Sequence, residues 1–341
     1  MFDGGTFFRV ITGLSVACSL GLAGPVEQAA AGEVKFFRIA TGSTGGTYFP
    51  IGSIIASAIS NPPGSRACAD GGSCGIPGLI AVAQTTRGSV ENIELITAGK
   101  VESGLCQADV AHQTYFGKGL LAGNAAYQKL RVVASLYPEL VHVAVRKHRG
   151  IFKIEDLRGK RVSLGAQGSG TAVDAANILA AFGLGEGDYQ AFHLAPGESS
   201  DRLQAGEIDA FFVVGGTPFP ALRDLTEVAE IDLLPIEGAR AKALVDDYPF
   251  FATAELPAGL YRHVPPVKTL SVSAQWLVAD SMDEKLVYQL TKALWQDATR
   301  RLLEGGHPVG RLIRLENALI GIAIPLHEGA QRYYREVGAL H

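Results

Sequence analysis

From residue 36 onward, short apolar runs alternate with stretches whose apolar residues recur every three or four positions. "FFRIA" (36–40), "LIAVAQT" (79–85), "RVVASLY" (131–137), "VHVAVR" (141–146), "RVSLGA" (161–166), "DAFFVV" (209–214) and "VAEIDLLPI" (228–236) read as strands, and "VKTLSVSAQWLVA" (267–279) as a long extended segment. Ile51, Ile54, Ile55, Ala58 and Ile59 share one helical face, as do Ala172, Ala175, Ala176, Leu179 and Phe182. Pro50 falls in the first turn of the earlier helix, where a missing N–H is tolerated. Another helix is expected from about Ser89 to Ala98, and one more begins at a capping box of Ser281 and Glu284. Strand–helix alternation of this kind predicts an α/β protein with largely parallel sheets. The last helices, from about 283 to 336, have no strands between them and are expected to pack back on the first domain.

Four strands end in a small-residue corner that leads into a helix: "ATGSTGGTYFPIG" (40–52), "TTRGSVEN" (85–92), "GAQGSGTAVD" (165–174) and "VGGTPFP" (214–220). In the third, Thr171 and Asp174 match the capping pattern [ST]-x-x-[DE]. In the fourth, Thr217 is the expected N-cap, with Pro218 at the first helical position. Each corner exposes unpaired backbone N–H groups at the positive end of a helix dipole, which favours an anion. In open α/β sheets, ligands bind beyond the carboxyl ends of the strands. Two corners fall in each half of the chain, so two facing domains would line one cleft with all four. Ordinary helix capping accounts for any one corner alone. Glu207 reads as a solvated turn residue and Asp209 as ordering a strand start.

The chain has 341 residues, which favours two domains over one core. With 47% hydrophobic and 19% charged residues and a net charge of −4, it is a folded protein without the basic stripe of a nucleic-acid binder. At the N-terminus, Arg9 precedes an apolar stretch and "QAAAG", where Ala29 and Ala31 fit the A-x-A rule for cleavage before Gly32. Residues 1–31 therefore read as a signal peptide, and the mature protein as exported. The alternatives are an uncleaved anchor, for which the run is short of the about 20 apolar residues a span needs, and a lipidated Cys18, against which Ser15 stands where such sites carry Leu. In an oxidising compartment Cys68 and Cys74 are expected to close the loop "CADGGSC", with Gly71 and Gly72 letting the chain turn back; two free thiols are the alternative. Cys106 is expected to be a buried, inert thiol.

The glycine spacings, G-x-x-G-G and G-x-x-G-x-G, fit neither a Walker loop nor a dinucleotide fingerprint. "GGSCG" (71–75) matches G-x-S-x-G but sits inside the cysteine loop rather than between a strand and a helix. The eight histidines are scattered, and neither H-E-x-x-H nor C-x-x-C occurs. No cofactor, metal site or catalytic group is expected, and an exported two-domain protein with an anion-friendly cleft describes a substrate-binding receptor.

"IATGSTGGTYFPIG", "GSVENIELI", "QADVAHQTYFG", "ASLYPELVHVAVR", "DLRGKRVSLGAQGSGT", "IDAFFVVGGTPFP", "YPFF" and "IPLHEGAQRYYREVG" occur in that order. The set resembles the TAXI family of solute-binding proteins of TRAP transporters over roughly residues 36 to 338. The resemblance implies a type II periplasmic-binding fold, with lobe I at 32–138 and 255–341 and lobe II at 139–254 around a central ligand cleft. It implies a monomer that hands a small organic anion, similar to glutamate, glutamine or a 2-oxo dicarboxylate, to ion-driven TRAP membrane subunits. Carried over by motif, the first-lobe contacts are Thr44, Gly46, Thr47, Tyr48, Ser89, Gln107 and Gln113, with Tyr137 near the first crossing. The second-lobe contacts are Ser169, Gly170, Thr171, Gly215 and Gly216. Arg87 stands where relatives often carry a small residue; it would clamp a carboxylate bidentately or, alternatively, point to solvent or pair with a nearby acid. Two alternatives remain: a receptor of the same fold serving an ATP-driven importer or a sensor kinase, and a two-lobed enzyme.

Overall fold

The computed structural model describes Met1 and residues 34–118, 125–248 and 250–340. Apart from Met1, the expected signal peptide and Cys18 lie outside the described residues. The first half runs β1 (Lys35–Ala40), α1 (Tyr48–Ile59), β2 (Ser60–Asn61), β3 (Ile76–Pro77), β4 (Leu79–Gln84), α2 (Ser89–Thr97), β5 (Ser103–Gln107) and α3 (Ala108–Tyr115). A 17-residue strand, β6 (Leu130–Arg146), follows. The second half runs β7 (Arg161–Ser163), α4 (Gly170–Ala181), β8 (Gln190–Phe192), α5 (Pro196–Ala205), β9 (Ala210–Gly215), α6 (Pro220–Val228), β10 (Ile231–Leu233), α7 (Gly238–Asp247) and β11 (Ala252–Leu256). The chain returns along β12 (Val267–Ala279) and ends in α8 (Glu284–Trp295), α9 (Asp297–Gly306) and α10 (Glu328–Glu336).

The main sheet has the order β4-β1-β5-β12-β6-β9-β7-β8, with β10 on β6 and β11 on β12. Its two wings are parallel: β4, β1 and β5 on one side, β9, β7 and β8 on the other. The long strands β6 and β12 run antiparallel between them and belong to both wings. β6 pairs with β12 up to Leu140 and with β9 from Leu140 onward; β12 pairs first with β11 and then with β5. The two stretches read as separate strands around Tyr137 are therefore one crossing strand. Pro138 does not break it, because it sits at an exposed position opposite Ser273. The expected lobe boundary at 138/139 falls inside β6, and that at 254/255 inside β11.

Each wing is covered on both faces. In the first, Ile51 and Ile55 of α1 pack with Trp276, Leu290 and Tyr334, with Ile54 partly buried against them. On its other face Val90 and Ile93 pack with Val110, Val132 and Leu277. In the second wing Ile178 and Leu179 pack with Val143, Val162 and Phe212, and Leu203 and Leu222 with Phe211 and Val213 on the opposite face. Helices α8 and α10 lie in the first-wing core, as the strand-free tail predicts. The fold is α/β with two lobes around a central cleft.

Three local expectations change. The late helix is capped by Asp283, whose side chain accepts from the Leu286 N–H at 2.7 Å, rather than by Ser281, and it breaks at Gln296 into α8 and α9. "VAEIDLLPI" yields only the three residues of β10, because α6 extends to Val228. The fourth corner is longer than expected: Thr217–Pro218 is a cis peptide and α6 starts at Pro220 with Phe219 as N-cap. Asp209 does order its strand start, accepting from the Arg161 N–H at 2.8 Å and pairing with its guanidinium.

Cys68 and Cys74 form a disulfide, their Cα atoms 4.7 Å apart. Gly71 adopts a left-handed φ of 75°, and a Cβ on Gly72 would stand 1.9 Å from the Arg66 carbonyl oxygen, so the small loop needs both glycines. The Cys74 carbonyl accepts from Gln296 Nε2 at 3.0 Å, which ties the loop to the C-terminal helices. Cys106 is free and buried, and burial pushes its thiol well above the usual range, leaving it unreactive. No described helix is long and apolar enough to cross a membrane.

Candidate functional site

The corners converge on a cavity of about 140 Å³ between the wings. Helix α1 brings Gly46, Thr47 and Tyr48 to its wall, α2 brings Arg87, Gly88 and Ser89, and α4 brings Ser169, Gly170 and Thr171. The start of α5, with Ala195 and Pro196, lies on the same wall, so four helix N-termini, two from each lobe, line one space. Gln107, the last residue of β5 and N-cap of α3, completes this set. The fourth corner contributes Phe219.

Of the residues singled out from the sequence, five do not reach the wall. Thr44 is exposed on the loop before α1, and Gln113 lies on α3 away from the cavity. Tyr137, Gly215 and Gly216 lie behind it. The Tyr137 hydroxyl donates to Thr47 Oγ1 at 3.4 Å, and the same oxygen accepts from the Gly216 N–H at 3.2 Å. Thr47 is thus a bridge from first lobe to second, not a cap: it makes no side-chain cap to its own helix. A Cβ on Gly216 would meet the Tyr137 ring at 3.0 Å, and one on Gly215 would meet Phe219 at 2.6 Å, so both glycines serve close packing.

Other hydroxyls are committed as well. Ser89 Oγ accepts from the Gln107 N–H at 3.1 Å, and Thr171 Oγ1 from the Val214 N–H at 3.2 Å. Ser169 Oγ caps α4 by accepting from the Ala172 N–H at 3.1 Å. The expected Thr171–Asp174 cap is therefore not formed; Asp174 is fully buried and accepts from Gln107 Nε2 at 3.0 Å, across the lobes. A third bridge runs from the Glu91 N–H to the Gly168 carbonyl at 3.2 Å. At this seam the lobes touch so closely that a Cβ on Gly170 would stand 1.4 Å from Gln107 Oε1.

Two ionisable residues of opposite type, Arg87 and Glu139, reach the cavity. Arg87 stands at its mouth, half-exposed, with Nε 3.0 Å from Glu91 Oε2 and its guanidinium over Gly168 of the second lobe. The arginine is paired with an acid on its own helix. Glu139, which the sequence reading passed over, lines the cavity from the crossing strand and is 1% exposed. It accepts from the Tyr48 hydroxyl at 2.7 Å. Burial pushes its carboxyl up to about 8 against the pull of that hydrogen bond, and the nearby Asp109 adds to the rise. Glu139 is thus protonated at neutral pH. The signal for it was present: it is the sole acid in the 17 residues of the mainly apolar β6. Alternation and motif spacing do not flag such a residue, because a strand crossing between lobes is buried on both faces.

Among the described residues at the cavity wall, no serine or threonine hydroxyl is hydrogen-bonded to a His, Asp or Glu side chain. Among the described residues no group of three or more His, Cys, Asp or Glu is placed to hold a metal ion. His142, behind Phe219, is held neutral by burial, which pushes its pKa down to about 4, and its Nε2 lies 2.9 Å from the Tyr261 hydroxyl. That hydroxyl accepts from the Phe219 N–H at 2.8 Å and so fixes the fourth corner. The arrangement is built to enclose and hydrogen-bond a small solute.

Two lobes, a chain that crosses between them and a cavity at the seam define a two-lobed α/β fold with a central cleft. The sequence matches the NMT1-like family over residues 39–338, and the chain belongs to that family. Among solved structures, a protein from Bordetella bronchiseptica RB50 superposes with a TM-score of 0.52 at 15% identity, covering 89% of this chain and 82% of that one. The alkanesulfonate-binding protein SsuA from Xanthomonas axonopodis pv. citri, bound to MOPS, gives 0.45 at 15% identity over 82% and 83% of the two chains. The periplasmic aliphatic sulphonate binding protein SsuA from Escherichia coli gives 0.45 at 14% over 81% and 78%.

Proposed function

We propose that this protein is a periplasmic solute-binding receptor that captures a small organic anion between its lobes. One observation carries this reading: the N-termini of α1, α2, α4 and α5 meet around one cavity, with a buried, protonated Glu139 among them. Helix N-termini supply unpaired N–H donors and a favourable field for a carboxylate, each worth roughly 0.3 to 2 kcal/mol. A neutral Glu139 does not repel that anion and offers its proton as a hydrogen bond. The ligand in this reading is a glutamate-, glutamine- or 2-oxo dicarboxylate-like carboxylate. Lobe I comprises 32–138 and 255–341, and lobe II 139–254. Secretion follows from the signal peptide. The membrane partner, from the resemblance to the TAXI family, is a set of TRAP transporter subunits.

A thermal-shift screen of ligand-stripped, refolded protein against amino acids, 2-oxo acids and dicarboxylates tests the receptor. A ligand at 100 times its Kd adds about 2.7 kcal/mol of stability. A flat response to every carboxylate overturns the reading. Transport by liposomes carrying the TRAP subunits, driven by an ion gradient and not by ATP, tests the partner.

A further inference from the structure

Asp109 opens α3 in the first lobe, and Asp174 lies in the second turn of α4 in the second; both are fully buried. Their carboxyl groups stand in hydrogen-bonding contact with each other. Asp174 Oδ2 accepts from Gln107 Nε2 at 3.0 Å and Asp174 Oδ1 has no protein donor, whereas the Asp109 carboxyl faces the N–H groups of Asp109 and Val110 at the start of α3. Two ionised carboxylates cannot share that contact; one proton between them satisfies it. Neither residue lines the cavity.

We infer that Asp109 and Asp174 form a proton-sharing latch between the lobes, so that closure takes up one proton and rising pH favours opening. The proton sits on Asp174 Oδ1 and is donated to Asp109, whose charge is favoured by its place in the first turn of α3. In the open form each carboxyl meets water and titrates in the ordinary range; in the closed form burial and the facing acid hold the proton to higher pH. The titratable groups that act on the pair are Glu139 on β6, which faces Asp174, and Cys106 on β5, which faces Asp109; Tyr48 and Tyr137 reach them only through Glu139. All are neutral at pH 7, and no cation among these neighbours offsets the pair. Glu139 also loses water on closure, so its own titration must be separated.

Hinged lobes, taken from the receptor reading, are the one premise, and no ligand is needed for the test. The full chain without ligand is labelled on each lobe, and the inter-lobe distance is followed by energy transfer from pH 5 to 9 in a Glu139→Gln background. The closed-to-open ratio is expected to fall tenfold per pH unit across the window between the open and closed titrations, as uptake of one proton requires. Adding Asp174→Asn, whose amide donates to Asp109 without titrating, is expected to abolish that dependence. A distance that does not change with pH, or an unchanged slope in Asp174→Asn, overturns the latch. If Asp174→Asn does not fold, Asp109→Asn serves as the reciprocal variant. If neither folds, carboxyl ¹³C shifts of the wild type decide: one aspartate protonated past pH 6 supports the latch, and all ionised by pH 5 overturns it. A failed ligand screen leaves this titration readable, and a flat titration leaves the screen untouched.

Discussion

The mouth and the floor of the cleft each present one ionisable residue, and the surroundings treat them oppositely. Arg87 at the mouth keeps a side chain 54% exposed and paired with Glu91; Glu139 at the floor is 1% exposed and paired with a tyrosine. Water screens the first pair, so its effect is weak. The second is so poorly hydrated that it surrenders its charge up to about pH 8. A conspicuous charge at a pocket rim thus tells less about recognition than a carboxyl whose ionisation the fold suppresses.

The largest effect is expected at the floor, where the lobes meet. Gly170→Ala places a methyl group where Gln107 Oε1 lies 1.4 Å away, so the closed form must open or repack. Overpacking of this kind costs about 1–3 kcal/mol. Affinity for the solute found by the screen should fall by up to about 100-fold in calorimetry, with the folded lobes intact by circular dichroism. Binding at wild-type strength would show that the solute is held without this seam.

Removing the disulfide by Cys68→Ser with Cys74→Ser supplies the contrast. The loop packs on Gln296, away from the cavity. Stability in denaturant should fall by roughly 2 kcal/mol, as loss of a short closed loop predicts, while affinity stays unchanged. A loss of affinity would connect the loop to the cleft.

Glu139 gives a pH signature that Arg87 cannot. Folding raises its pKa, so the stability it contributes is full below about pH 4.5 and is lost as pH rises through about 8. Within that window one proton sets a slope of about 1.4 kcal/mol per pH unit. Glu139→Gln should remove that slope from pH-dependent unfolding while keeping the Tyr48 hydroxyl paired. An unaltered slope would place the titration elsewhere.

The same contrast explains what was legible in the chain. The α/β class, the α1 face of Ile51 and Ile55 and the corners followed from periodicity and glycine spacing, because each is a local pattern. Thr47, Ser89, Ser169 and Thr171 were identifiable as corner residues, but not their partners: Thr47 reaches Gly216, 169 residues away. Caps were misassigned where two candidates stood within two positions, as with Ser281 and Asp283. β6 looked like two strands because a proline and an acid interrupt its apolar run, and Glu139 was passed over for the same reason. Its meaning depends on burial contributed by both lobes, which no local pattern encodes.

The smallest effect is expected at the mouth. Arg87 is the one cationic side chain at the cavity wall among the described residues, and its Nε already serves Glu91. Arg87→Ala should change stability by less than about 1 kcal/mol, the usual worth of an exposed i,i+4 pair. If the arginine leaves the solute alone, affinity should change by no more than a few-fold, and less at high salt. A loss of 1–3 kcal/mol for a dicarboxylate, larger than for a monocarboxylate, would instead mean that the guanidinium turns from Glu91 to clamp the ligand. Pairing the variant with Glu91→Gln separates the two cases: a screened surface pair leaves affinity flat in both, whereas a clamp released from Glu91 binds more tightly in Glu91→Gln and loses that gain when Arg87 is also removed.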